Sequence, residues 1–554
     1  MENKVLNIIE RALESEIDLK VEDDKLILNF ENDEIDNKLL EDIKAQKEFI
    51  IKFIKDYNSQ NTSKTKVLLP LISVEEHPDR IPLSYGQERF WFLDQLQGSL
   101  EYHIPVILEL RGSLDRSILS SSLKAIVSRH EVLRTVISSE EGIGYQEVLG
   151  SDLWELEHQE FIGDSDSLEA AVLTYINRAF DLSSDYMFRS CLYDLGADRY
   201  ILVGVFHHIS SDGWSSDILV GEFLELYRAS QADREADLGV LPFQYSDYAL
   251  WQKRYVSGTV LESELSYWES QLSGVVPLVL PTDYVRPPVQ SHSGSVVSFT
   301  LDSDLPQSLL SLSQESGATL FMTLLASFKI LLSRYSGESD ICVGTPIANR
   351  TQSGLEGMIG FFVNTLALRN TVDSRQSFRD FLMSVKQTTL NGYDHQLAPF
   401  EKVVDRVVET RDMSRSPLFD VLFVLENIGD NTQDITLEGL DIAPYEGIAD
   451  TTSQFDLTFT LRETSEGLEL SIEYCTDLFT EATIQRMCIH YQELLSSIVV
   501  APDANLGALS ILTKEEEHQL LEVFNDTVVD YPTDKTIVDL FEDQVLKTPN
   551  HIAV

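Results

Sequence analysis

The chain has 554 residues, 43% hydrophobic and 24% charged, so it can bury several cores without disulfide staples. Lysine and arginine number 42 against 91 aspartates and glutamates, a formal charge of −49. That excludes, as a default, a protein that grips nucleic acid or anionic lipid through a broad basic face, and it makes any local basic spot conspicuous. The four cysteines, Cys191, Cys342, Cys475 and Cys488, have no close metal-ligand spacing and are too sparse for a disulfide scaffold. They read as buried small hydrophobes in a reducing compartment. The N-terminus shows no signal-peptide pattern and no apolar run approaches a membrane span, so a cytoplasmic protein is expected.

Residues 1–57 read as a small unit. Val5, Ile8, Ile9 and Leu13 recur at helical spacing. Ile17, Leu19 and Val21 then alternate with charged residues, Glu22-Asp23-Asp24 forms a turn, and Leu26, Leu28 and Phe30 alternate again, which predicts a β-hairpin. Two helical stretches follow, at 35–45 and 49–54. A module this small suits an adaptor better than a catalyst. The order helix, hairpin, helix, helix resembles the TubC-type docking domains of nonribosomal peptide synthetases. That resemblance implies capture of a short C-terminal segment of an upstream protein at the hairpin edge. Lys20 and Lys25 flank the hairpin and are candidates for contacting acidic residues of such a peptide. Residues 58–80 are read as a linker, polar and without periodicity over their first half.

Residues 81–510 are one large mixed α/β region. Strand-like runs at 200–206 and 341–343 alternate with amphipathic helical stretches at 216–228 and 320–335. No internal repeat is visible. A proline-rich crossing loop at 277–288 divides the region into expected lobes of 81–275 and 276–510. Residues 511–534 are charged and rich in turns. The ending, with Leu540-Phe541-Glu542 and an apolar His551-Ile552-Ala553-Val554, reads as the first elements of a domain cut short.

The chemistry-bearing stretch follows the 200–206 strand: His207-His208-Ile209-Ser210-Ser211-Asp212-Gly213-Trp214-Ser215, leading into a helix with Ser215 or Ser216 as its N-cap candidate. Adjacent histidines in a strand point to opposite faces, so one faces a cleft and the other packs. A cleft histidine can take a proton from an attacking amine or hydroxyl, or hold that nucleophile by a hydrogen bond. Opposed faces argue against joint metal chelation, and no Gly-x-Ser-x-Gly elbow supports a serine hydrolase. On chemistry alone, a pair of satisfied core histidines remains the competing reading.

His207-His208-x-x-x-Asp212-Gly213 resembles the signature of the condensation domains of nonribosomal peptide synthetases, and six further motifs stand in that family's order. They are residues 84–96 (Ser-Tyr-Gly-Gln-Glu-Arg-Phe-Trp-Phe-Leu-Asp-Gln-Leu), 129–135 (Arg-His-Glu-Val-Leu-Arg-Thr), 245–252 (Tyr-Ser-Asp-Tyr-Ala-Leu-Trp-Gln), 359–366 (Ile-Gly-Phe-Phe-Val-Asn-Thr-Leu), 395–401 (His-Gln-Leu-Ala-Pro-Phe-Glu) and 415–420 (Arg-Ser-Pro-Leu-Phe-Asp). Residues 524–554 resemble the opening of an adenylation domain. The resemblance implies two chloramphenicol-acetyltransferase-like lobes in a V-shaped pseudo-dimer with the site in a tunnel between them. It also implies amide-bond formation: the amine of an aminoacyl thioester attacks an acyl or peptidyl thioester. Both substrates ride on phosphopantetheine arms of carrier proteins, and the chain itself binds no cofactor and no metal. The implied partners are an upstream donor carrier on a separate polypeptide, from a peptide or polyketide synthase, and a downstream acceptor carrier and adenylation domain. Neither nucleic acid nor membrane is among them.

Within that reading His208 positions the amine, acts as general base or stabilises the tetrahedral intermediate, while His207 is structural. Asp212 is expected to pair with Arg129, or failing that Arg134, to hold the loop. Gly213 lets backbone N–H groups approach the thioester carbonyl. Asn364 and Ser215 are polar candidates for the tunnel wall. Tyr85, Trp91, Tyr248, Trp251, Phe361, Phe362 and Pro417 read as packing residues. His207 argues against a heterocyclisation domain, which carries Asp there. The flanking units argue against epimerisation. A starter-type domain that N-acylates with a fatty acyl group, and a non-catalytic carrier-recruitment platform, remain the alternatives. Because carrier proteins are commonly acidic, their contact surfaces on so acidic a body are expected to be local basic or apolar patches.

Overall fold

In the computed structural model the described residues are 18–22, 25–29, 47 and 70–552, apart from 75, 427–434, 438, 446–451, 465–466 and 531. The chain divides into two compact units, Met1–Leu71 and Ile72–Val554. In the first, β1 (Asp18–Glu22) and β2 (Lys25–Asn29) pair antiparallel, with Val21 opposite Leu26. The expected hairpin therefore forms. Lys20, opposite Ile27, and Lys25, opposite Glu22, sit within its strands rather than flanking it. The helices expected around 5–13, 35–45 and 49–54 lie outside the described residues.

The N-terminal half of the second unit supplies β3 (Ile81–Pro82), β4 (His103–Gly112), β5 (Thr135–Glu140), β6 (Ile143–Val148), β7 (Glu157–Glu160), β8 (Phe188–Gly196) and β9 (Arg199–His207). The C-terminal half supplies β10 (Gly294–Thr300), β11 (Asp340–Ile347), β12 (Asn364–Thr371), β13 (Val421–Glu426), β14 (Ile435–Leu437), β15 (Leu440–Pro444), β16 (Leu457–Thr464) and β17 (Gly467–Cys475). They build two six-stranded sheets, β14-β15-β4-β9-β8-β7 and β10-β17-β16-β13-β11-β12, and a small sheet β3-β6-β5. Each large sheet centres one lobe.

The unbroken apolar run of β9 has a physical reason: both its faces are buried. Tyr200, Leu202 and Phe206 pack with Leu119 and Leu123 of helix Arg116–Arg129 and with Leu219 and Phe223 of helix Gly213–Gln231. Ile201, Val203 and Val205 pack on the other face with Leu168 and Val172 of helix Ser165–Ile176. In the C-terminal lobe the helix Leu320–Ser336 is buried from Met322 through Leu332. That run includes Lys329, which donates to the Leu368 carbonyl (2.8 Å) and to Asn370 Oδ1 (2.5 Å).

The lobes are not separable at residue 275. β15 pairs antiparallel with β4, Leu440 facing Gly112, so a segment of the C-terminal half covers what would be an open edge of the N-terminal sheet. Leu437, Leu440 and Ile442 join the N-terminal core, as do Leu355, Met358, Ile359 and Phe362. Beyond the lobes, the helices Lys514–His518 and Ile537–Lys547 bury no residue. No single described helix is long and apolar enough to cross a membrane; Leu305–Glu315 and Leu320–Ser336 pass only together, as a pair bent by 105°.

Burial pushes the Lys329 ammonium down to about 7. A lysine so shifted gives up its proton in the fold before it does in the unfolded chain, so stability rises with pH from about 7 towards 10. Between pH 7 and 9 the denaturation midpoint of the wild type is therefore expected to climb relative to that of Lys329→Met. Parallel curves would contradict the buried, depressed lysine.

Candidate active site

The two histidines separate at the end of β9, as strand alternation requires. His207 is fully buried, and its Nδ1 accepts the backbone N–H of Ile209 at 3.1 Å. Burial pushes its pKa down to about 3, helped by His103, His208 and Arg189. It packs edge-on to Phe180 (5.7 Å). His208 instead opens the short 3-10 turn His208–Ser210 and lines a cavity of about 220 Å³. Its Nδ1 lies 2.7 Å from the Ser211 carbonyl, which can only accept, so Nδ1 carries the proton and Nε2 keeps a free lone pair. The ring stacks on Phe90 and meets the edge of Phe361, each at 5.1 Å. Burial holds its pKa below the usual imidazole value, against the opposing pull of the Ser211 carbonyl and Asp212.

The cavity is walled by both lobes. Tyr85, Arg89 and Phe90 come from helix Tyr85–Gln97, and Pro346, Phe361 and Asn364 from the C-terminal half. Arg89 reaches across to Glu401 at 3.1 Å. Tyr85, Tyr248, Phe361 and Phe362, read from sequence as packing residues, all line this cavity, Tyr248 and Phe362 from buried positions, and Pro417 is exposed. At the other end of the same helix Phe92 and Leu96, with Leu100 beyond, stay exposed.

Asp212 holds the turn at 208–213, but not with the expected partner. It is 0% exposed and pairs with Arg350, itself 3% exposed, at 3.1 Å. It also caps the helix Gly213–Gln231: its Oδ1 accepts the Ser215 N–H (3.0 Å) and hydroxyl (2.7 Å). Oδ2 accepts the Phe362 N–H at 3.1 Å. Asp212, rather than Ser215 or Ser216, is therefore the N-cap. Arg129 binds Glu222 instead (2.8 Å), and Arg134 binds Glu131 (3.2 Å) and the Leu149 carbonyl. Neither arginine pairs with Asp212. Arg350 completes its shell with the Leu355 and Met358 carbonyls and lies 4.4 Å over the Phe362 ring.

Ser215 is buried and joins the lobes through the Gly360 carbonyl and N–H, both at 3.1 Å. Gly213 is the exposed first residue of its helix, and a Cβ there would meet nothing within 4 Å. Asn364 lines the cavity but spends its amide on the wall: it donates to the Gln396 and Ala398 carbonyls (2.8 Å each) and accepts the Phe400 N–H (3.1 Å). Glu264 braces the same turn. Burial pushes its carboxyl up to about 7, against backbone hydrogen bonds from Ala398 and Leu397. Arg350 and Glu264 escaped the sequence reading because each acts through a partner more than a hundred residues away. The arrangement can present a neutral imidazole lone pair in a cavity walled by both lobes, which suits deprotonating or aligning an amine or hydroxyl.

The family model described as "Condensation domain" matches residues 77–521. The chain belongs to the condensation-domain family. Tyrocidine synthase 3 of Brevibacillus parabrevis is 39% identical over 475 residues, 85% of this chain and 7% of that protein. Gramicidin S synthase 2 of Aneurinibacillus migulanus is 37% identical over 478 residues, 86% of this chain and 10% of that protein. This condensation-domain chain thus spans a tenth or less of the length of these relatives. The crystal structure of the X-domain from teicoplanin biosynthesis has a TM-score of 0.72 at 26% identity, over 80% of this chain and all of that one. The two-lobed α/β fold is that of the family.

Removing one partner of a buried ion pair leaves a charge stranded, at a cost of about 3–5 kcal/mol. Arg350→Met is expected to lower unfolding stability by that order and to abolish function, whereas Arg129→Met leaves Asp212 in place and activity largely intact. Denaturant unfolding of the two variants checks this. A milder effect from Arg350→Met than from Arg129→Met would contradict the pairing.

Proposed function

We propose that this chain forms an amide bond between two carrier-bound substrates. The observation that carries the reading is the His208 tautomer: Nδ1–H is committed to Ser211, so Nε2 offers a lone pair inside a cavity built by both lobes. The acceptor amine attacks the carbonyl carbon of the donor thioester. A C–N bond forms, the carbonyl electrons move to oxygen, and their return expels the thiolate. The amine proton passes to His208 Nε2 and on to the departing sulfur. An α-amine ordinarily titrates near 7.7–8.0, so a useful fraction is already neutral, and alignment contributes more than basicity. Holding both partners in one channel is worth up to roughly 7–11 kcal/mol. Asp212 and Arg350 act on this step by keeping the turn in place. Gly213 and Asn364 support the same site from outside the reacting atoms.

The peptide-synthetase relatives support carrier-bound thioesters as substrates and a cytoplasmic setting. In this reading residues 1–57 are a TubC-type docking domain that recruits a donor carrier from a separate upstream synthase, with Lys20 and Lys25 on its hairpin. Residues beyond 511 lead towards an adenylation domain and the acceptor carrier. The intact motif, with His208 facing the cavity, favours catalysis over a recruitment platform.

With a loaded donor carrier and an aminoacyl acceptor carrier, intact-protein mass spectrometry should show the acceptor gaining the donor acyl mass. His208→Ala should slow this by about a hundredfold or more while carrier binding survives. Product formed at the wild-type rate by that variant would overturn the mechanism. Deleting residues 1–57 should lower transfer from a separate donor carrier at low micromolar concentration, yet leave transfer from a carrier fused to the chain unchanged. Equal turnover from the separate carrier would count against docking.

A further inference from the structure

Among the described residues, three buried polar atoms behind the catalytic turn have no hydrogen-bond partner: His103 Nε2, His207 Nε2 and Arg189 Nε. Sheet register brings their side chains to one face. His103 is the cross-strand partner of His207, and Arg189 is the partner of Val205, two residues before His207 on β9. All three gather around the Phe180 ring: His103 at 5.0 Å, His207 at 5.7 Å, and the Arg189 guanidinium 3.9 Å over its face. His207 is 0% exposed and Arg189 is 8% exposed.

The tautomers are settled by the other ring nitrogens. His207 Nδ1 accepts from the Ile209 N–H, so its Nε2 carries the proton and is a donor. His103 Nδ1 donates to the Ile176 carbonyl at 2.7 Å, so its Nε2 is an acceptor. Arg189 spends one NH2 group on the carbonyls of Tyr175, Ile176 and Arg178, which leaves Nε–H as a second donor. The His103 and His207 ring centres are 6.0 Å apart, and no direct bond joins them. Two donors and one acceptor gathered at one ring are the complement of a single water, which accepts twice and donates once; buried waters typically make about three such bonds.

We infer that His103, His207 and Arg189 hold one buried water, and that His103 is through it a positioning residue for His208. The water fixes the His207 ring, His207 Nδ1 anchors the Ile209 N–H, and that bond shapes the turn which aims the His208 imidazole at the cavity. Burial above all, with the Arg189 charge as a lesser cause, disfavours protonation of both His103 and His207, which keeps the donor and acceptor roles fixed.

The positioning half rests on the reaction proposed above; the water site does not. A high-resolution crystal structure of the chain should show one ordered water within about 3.2 Å of all three nitrogens, lost in His103→Phe. In single-turnover transfer His103→Phe should be about tenfold slower with half-saturation by the acceptor carrier unchanged. His103→Gln, which keeps an acceptor oxygen, should retain most of the rate. A dry space between the rings, or these nitrogens bonded to protein groups instead, would overturn the water site. A His103→Phe variant at full rate, or a Gln variant as slow as Phe, would overturn the positioning role. If the wild type transfers nothing, the proposed reaction fails while the crystal structure still decides the water site.

Discussion

The buried pair between Asp212 and Arg350 is the contact on which the rest of the site depends. It joins a loop of the N-terminal lobe to a segment that the chain reaches only after crossing into the C-terminal half. Two charges taken from water at 0% and 3% exposure are expensive, and their attraction alone does not repay that. Here the remaining bonding capacity is used. Asp212 receives the Ser215 N–H and hydroxyl and the Phe362 N–H, and Arg350 donates to the Leu355 and Met358 carbonyls. The pair thereby fixes the helix start, the turn that carries His208 and the cavity wall at once. It is a device for geometry more than for stability.

What that geometry protects is a neutral histidine. On a chain of charge −49, an exposed imidazole would be drawn towards protonation. Burial between Phe90 and Phe361 works the other way and keeps His208 basic but uncharged. The cavity wall is held from behind in the same manner: Asn364 ties the turn at 396–400 by its amide, and Glu264 braces it by a carboxyl that burial brings near neutrality.

Much of this was legible in the sequence where the signal is local. The run at 200–206 declared a strand, which the fold buries on both faces, and alternation assigned one histidine to packing and the other to a cleft. The hairpin at 18–29 followed from its alternating apolar residues around an acidic turn. What escaped is what depends on distant partners. Arg129 and Arg134 lie inside a recognised motif, yet Glu222 and Glu131 claim them, and Arg350 arrives from 138 residues beyond Asp212. Asn364 looked like a substrate-facing amide because nothing local reveals that three backbone groups will occupy it. The same holds for residues 440–444, whose pairing with β4 carries one lobe's chain into the other's sheet. Asp212 as N-cap is the exception, since an Asp three residues ahead of Ser215 is a local cap signal that the serines concealed.

The central claim is that His208 stands neutral, with its proton on Nδ1 and its Nε2 lone pair directed into the cavity. Nitrogen-15 NMR of the histidine-labelled chain, titrated from pH 6 to 8, measures this directly, with His208→Gln assigning the signal. The account predicts an Nδ1–H tautomer whose shifts do not titrate across that range. An Nε2–H tautomer, or a protonation midpoint near the ordinary imidazole value of about 6.5, would contradict it.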